Sequence, residues 1–138
     1  MAVYDKFDSK LSGPRGFLGA DWLAADLEKV VGVGLNASGQ WVKGAGVTGI
    51  LAVLVLTRVI KAGREPVDPM KRGEITAFDK VGKPNVDLAI AAAGTRYAVD
   101  DVTGAVEALS GATAPGAGKT YIGHTVEKGR LIVNVWEV

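Results

Sequence analysis

From Val31 onward the chain breaks into short runs of apolar and β-branched residues, each stopped by Gly, Asn, Asp or Pro. Strands joined by tight turns give this punctuation, because the stopping residues supply the positive φ or the local side-chain bonds that turns need. The pattern places strands near 30–35, 40–43, 48–56, 66–69, 73–78, 86–91, 95–99, 105–109, 120–126 and 130–136. Several open on a polar residue plus glycine, as in Ser38-Gly39, Arg72-Gly73, Thr103-Gly104 and Lys128-Gly129. In the last strand Leu131, Val133 and Val135 share one face, and Ile132, Asn134 and Trp136 the other.

The first residues read differently. Residues 1–20 scatter Gly13, Pro14, Gly16 and Gly19 among charges and isolated aromatics, with no helical or strand period, which suggests an extended arm. Trp22, Leu23, Leu27 and Val30 then approximate one helical face between Ala20 and Val31, with Asp21 placed as an N-cap. The division expected is an arm with a possible short helix over 1–26 and a mainly β domain, barrel-like or sandwich-like, over 27–138. At 138 residues there is room for one core. An internal echo of residues 62–78 in 93–109 suggests pseudo-repeated hairpins; two copies are too few for a solenoid.

Composition excludes several function classes. Sixteen Lys and Arg against fifteen Asp and Glu leave a net charge of +1, too little to neutralise a run of phosphates, so no nucleic-acid partner is expected. There is no cysteine, hence no disulfide or thiolate metal site. The apolar run from Val47 to Ile60 holds Gly49 and Arg58 and is too short to span a bilayer, so no membrane partner is expected. The N-terminus lacks the apolar stretch of a secretory signal, so synthesis in the cytoplasm is expected, and Asn36-Ala37-Ser38 has no meaning as a glycan acceptor there.

The motifs that suggest chemistry fail on spacing or context. Gly118-Lys119-Thr120 ends like a phosphate loop, but Thr113 stands where that loop requires glycine, and a strand follows rather than a helix. Gly44, Gly46 and Gly49 match the dinucleotide fingerprint, yet a hairpin precedes them and no βαβ unit follows. His124 is the sole histidine, so neither a His pair for a metal nor a second imidazole for proton relay is present. Asp100-Asp101 lacks the repeated oxygen ligands of a calcium loop and reads as a turn bonding its own backbone. No catalytic, cofactor or metal site is therefore expected. The bulky residues Tyr4, Phe7, Phe17, Leu18 and Trp22 stand in a segment with no core of its own, and are expected to dock on a partner or neighbouring subunit. On the same reading, removing residues 2–19 should leave the β domain folded.

The ordered phrases "GILAV", "AGREPVD" leading to "GEI", "AGTRYAVD" with "GAV", and "IGHTVEKGRLIVNV" closing the chain resemble the capsid decoration, or cement, proteins of tailed bacteriophages. The resemblance implies a small β-barrel-like module, often a homotrimer, that binds the major capsid protein on the capsid exterior, bridges neighbouring subunits and has no enzymatic activity. Two other readings fit the composition: another virion β module of a tail, fibre or capsid subunit, and a small nucleotide-binding protein using the glycine loops.

Overall fold

The computed structural model describes residues 16–77 and 92–135. Tyr4, Phe7 and the strand expected at 86–91 lie outside them. The described chain is mainly β. Its strands are β1 (Gly16–Phe17), β2 (Val31–Leu35), β3 (Trp41–Gly46), β4 (Ala52–Leu54), β5 (Pro66–Val67), β6 (Ile75–Ala77), β7 (Arg96–Asp100), β8 (Val106–Leu109), β9 (Lys119–Glu127) and β10 (Arg130–Val133).

They form three sheets rather than a closed barrel. A five-stranded antiparallel sheet has the order β6-β10-β9-β7-β8, a three-stranded sheet the order β3-β2-β4, and β1 pairs with β5. β2 and β4 are antiparallel, whereas β3 lies along β2 in an irregular parallel register with Val33 opposite Gly44 and Leu35 opposite Gly46. The sandwich alternative is the one the sequence realises, because the middle sheet is covered on both faces. Val53 of β4 joins Tyr97, Val99, Ile122, Leu131 and Val133 in one apolar cluster. Its neighbours Ala52 and Leu54 join Val31, Val33 and Trp41 in a second. β2 reads VGVGL for the same reason: a Cβ added at Gly32 would stand 2.6 Å from Val99 Cγ2, so the glycine lets the five-stranded sheet close onto β2.

The inward half of the alternation expected for the last strand holds, with Leu131, Val133 and Val135 buried, while Trp136 lies outside the described residues. The internal echo does not repeat in space. Its second copy is the β7–β8 hairpin, while the first splits between two sheets, β5 pairing with β1 and β6 with β10. Pro66 and Pro69 stand in the first copy, and residues without an N–H cannot complete a hairpin ladder.

The helix expected between Ala20 and Val31 is absent. Only a 3₁₀ turn at Ala24–Asp26 forms, and Trp22 lies extended, its N–H donating to Ile60 O at 2.7 Å. Asp21 is not an N-cap; its carboxylate accepts the N–H of Ala62 at 3.0 Å, 41 residues away. Long-range pairing with the 60s segment outweighs the weak helical period, and Glu28 at φ 59° would break a helix in any case. The boundary expected at residue 26 is corrected with it. β1 pairs with β5, Gly19 N donates to Trp41 O, and Gly63 N donates to Leu18 O, so residues 16–26 belong to the folded body.

Candidate partner-binding surface

Residues 16–23 and 59–67 run antiparallel as a ribbon: Phe17 stands opposite Pro66, Leu18 O accepts from Gly63 N, and Trp22 bridges Ile60. Strand alternation sorts its side chains onto two faces. Leu18, Trp22, Ile60 and Val67 point inward to the second apolar cluster. Leu18 and Trp22 are each 1% exposed. Two of the residues expected to dock on a partner are thus core residues of this chain's own domain, for the physical reason that each faces inward on a paired ribbon.

Phe17 alone of the three described arm residues remains available, at 44% exposure. The outward face of the ribbon gives it company that sequence reasoning missed: Leu23 at 53%, its register neighbour Val59 at 43%, and exposed Pro66 opposite Phe17. A usable signal was present, since each is the direct chain neighbour of a buried apolar residue.

One ion pair crosses the same ribbon, Lys61 to Asp21, and another runs along its second side, Arg58 to Glu65. Arg58 holds Glu65 through both guanidinium nitrogens, and Lys61 Nζ lies 3.2 Å from Asp21. The N–H of Ala62 and then Lys61 hold the Asp21 carboxyl below its usual range; the bond from Arg58 does the same for Glu65. Inside, Lys43 Nζ bonds Asp26 at 2.9 Å and stands 5.7 Å from the Trp22 ring centroid. Ring, cation and carboxylate together fix the ribbon's inner face. The face carries Phe17 with Pro66 at one end and Leu23 with Val59 at the other, and the Asp21–Lys61 pair lies between them.

The other candidate residues have structural occupations. Lys119 Nζ bonds Glu107 at 3.0 Å and lies 3.8 Å from Asp100, so the lysine of the phosphate-loop look-alike is spent on the β7–β8 hairpin. Residues 110–118 cross the outer face of β7 to reach β9, tied by Arg96 Nη1 to the carbonyls of Gly111 and Thr113. Ala98, in the middle of β7, is fully buried. Gly44 and Gly46 sit at positive φ in β3, where a Cβ would strike backbone at 2.4 and 2.2 Å. Asp100 Oδ1 accepts the N–H groups of Val102 and Thr103, the backbone-bonding turn that the sequence suggested. His124 Nδ1 lies 3.2 Å from Tyr121 Oη. Among the described residues no group of three or more metal-ligating side chains converges, and no helix is long and apolar enough to cross a membrane.

No protein-family model matches the chain, and no curated protein matches it. Among solved structures, a chain from Mycobacterium phage Patience is similar with a TM-score of 0.62 at 21% identity, covering 99% of this chain and 96% of that one. At that identity the likeness is one of fold, and it extends along nearly the full length of both chains.

Proposed function

We propose that this chain is a non-enzymatic structural protein of a bacteriophage virion, one that binds the outer surface of the capsid and strengthens the lattice by bridging neighbouring major capsid subunits. The observation that carries the reading is the fold shared end to end with a phage chain. The ordered phrases that resemble decoration proteins point the same way. The outward face of Phe17, Leu23, Val59 and Pro66 would supply the contact: half-exposed apolar groups on a backbone-paired ribbon, desolvated at little entropic cost. Assembly as a homotrimer belongs to the same reading, because three linked copies multiply a modest contact through avidity.

Fractionated particles test it. Quantitative mass spectrometry should find the chain on heads in hundreds of copies, and Phe17→Ser with Leu23→Ser and Val59→Ser should lose decoration while the protein stays folded. A few copies on tails would transfer the chain to the other virion modules. Sedimentation equilibrium that finds strict monomers, both free and released from particles, would remove the trimer.

A further inference from the structure

An open sheet carries a row of unpaired backbone N–H and C=O groups at each edge, and a fold either blocks that row or uses it. Most of the described edges here are blocked. Beside β3, Trp41 O accepts from Gly19 N at 2.7 Å, and Val53 of β4 exchanges hydrogen bonds with Met70 at 3.0 and 2.7 Å. β5 is two residues long and contains Pro66, which has no N–H. β8 has no such protection. It ends the order β6-β10-β9-β7-β8, and no strand among the described residues lies along its outer side. Its four residues, Val106-Glu107-Ala108-Leu109, include neither proline nor lysine and keep an unbroken register with β7.

The turn that precedes β8 fixes which of its groups are free. Asp100 N donates to Ala105 O at 2.9 Å, and hydrogen-bonded pairs alternate along the ladder from there. Glu107 and Leu109 therefore bond to β7, while Val106 and Ala108 aim their N–H and C=O groups away from it. Two donors and two acceptors stand in a row about 7 Å apart, the repeat of an extended chain. Val106 is buried and Ala108 exposed, so the row runs from the rim of the core into solvent.

We infer that the β8 edge takes an extended segment of a shell subunit as a sixth strand of the five-stranded sheet. The inference rests on the capsid-binding reading and gives it a second attachment. Val106 packs in the first apolar cluster and the ribbon covers the second, with the middle sheet between them. The occupant follows from the strand's own residues. Two copies of β8 paired about Glu107 would set Val106 opposite Ala108 and the two glutamates side by side, and like charges directly opposite each other repel. Pairing about Ala108 would need Ser110, whose carbonyl already accepts from Thr113 N and Thr113 Oγ1 as the chain turns into its strap. A second copy therefore fits poorly. Glu107 is the only charge on the strand, so the segment that fits carries lysine or arginine opposite it.

The test uses the full chain against particles stripped of this protein. Hydrogen exchange read along 105–110 should find the Val106 and Ala108 amides slowed about tenfold on particles, while those of Glu107 and Leu109, already bonded to β7, change little. Ala108→Pro removes an outward N–H and leaves the ladder to β7 in place, so cooperative melting should persist while particle affinity falls about tenfold. Ala108→Val keeps the N–H and should bind like the unaltered chain. A photo-crosslinking residue at position 108 should form an adduct with a shell subunit. Amides that exchange alike on and off particles, or an adduct only with another copy of this chain, overturn the proposal; should the proline unfold the chain, the exchange measurement decides alone. If Ala108→Pro binds as tightly as the unaltered chain while the Phe17/Leu23/Val59 variant does not, the edge is refuted and the capsid reading survives. If the unaltered chain itself does not bind, both fall.

Discussion

Leu18 and Phe17 are consecutive in the chain and face opposite ways, so truncating each to alanine separates core from contact. Leu18 is 1% exposed and packs with Trp22 and Trp41 among the buried groups of its cluster. Removing its side chain leaves a cavity in a layer pinned by backbone bonds on both sides, and such changes cost about 2–5 kcal/mol. A loss of about 3 kcal/mol at a urea slope of about 1.5 kcal/mol per M moves the midpoint down by about 2 M. That is a large share of the roughly 5–15 kcal/mol that holds a domain together. Phe17, at 44% exposure, makes partial contacts, and Phe17→Ala should cost about 1 kcal/mol of stability. Its effect should appear in binding, with affinity for particles about tenfold lower. Urea unfolding followed by tryptophan fluorescence, alongside particle binding under folding conditions, measures both. If Leu18→Ala left the midpoint in place and abolished binding, Leu18 would be a docking residue of a free arm and the inward face of the ribbon would be wrong. Deleting residues 2–19 is corrected by the same reasoning: the cut removes β1 and Leu18 and should unfold or severely weaken the domain.

Gly104→Ala forces a Cβ toward Gly32 O at a φ of +74°, and should destabilise by about 2–4 kcal/mol in thermal melts, whereas Gly39→Ala, with open space around it, should cost only the strain of its positive φ. Asp100 has its pKa lowered below the ordinary 3.8, first by the N–H of Thr103 and then by that of Val102, so its stabilisation is present above pH 3.8 and disappears as pH falls through the lower folded value. Asp100→Asn keeps an oxygen for both N–H groups but removes the titration, and should flatten that part of an acid unfolding curve. Lys119→Ala should change no nucleotide response in a thermal-shift screen with ATP and NAD, because the lysine is bound to Glu107 and Asp100; a ligand-induced stabilisation that the variant loses would revive the phosphate-loop reading.

The strands were legible because their signal is local. Alternation and glycine punctuation placed β2, β7, β8, β9 and β10 within a few residues, and the Asp100 turn was readable from a side chain that bonds its nearest backbone. What the sequence hid was pairing across distance. Trp22 has helical spacing to Leu27 and Val30, but its backbone is claimed by Ile60, and nothing within the window from Ala20 to Val31 announces that partner. Pairing also decided the site. Once residues 16–23 lie against 59–67, alternation sends Leu18 and Trp22 inward and leaves Phe17 and Leu23 outside; without the pairing all four look like equivalent bulky groups on an arm.

An apolar face left in solvent on a two-stranded ribbon carries a hazard, since ribbon edges and exposed apolar groups invite pairing with any other chain. Here the hazard is contained by where the charges fall. Arg58 and Glu65 flank the Val59 and Pro66 positions, and Asp21 and Lys61 lie between Phe17 and Leu23, so the apolar groups are divided by hydrated ion pairs. Exposed pairs of this kind contribute little to stability, which leaves selectivity as the property they alter. A partner that covers the ribbon must meet four apolar groups at fixed spacing and leave four charges hydrated or paired, and a generic hydrophobic surface does neither. Replacing Arg58 and Lys61 by alanine should therefore leave folding nearly unchanged while raising nonspecific self-association, read as a concentration-dependent rise in light scattering. If scattering stays flat and particle binding is retained, the charges are ordinary surface residues and the apolar groups alone set the contact.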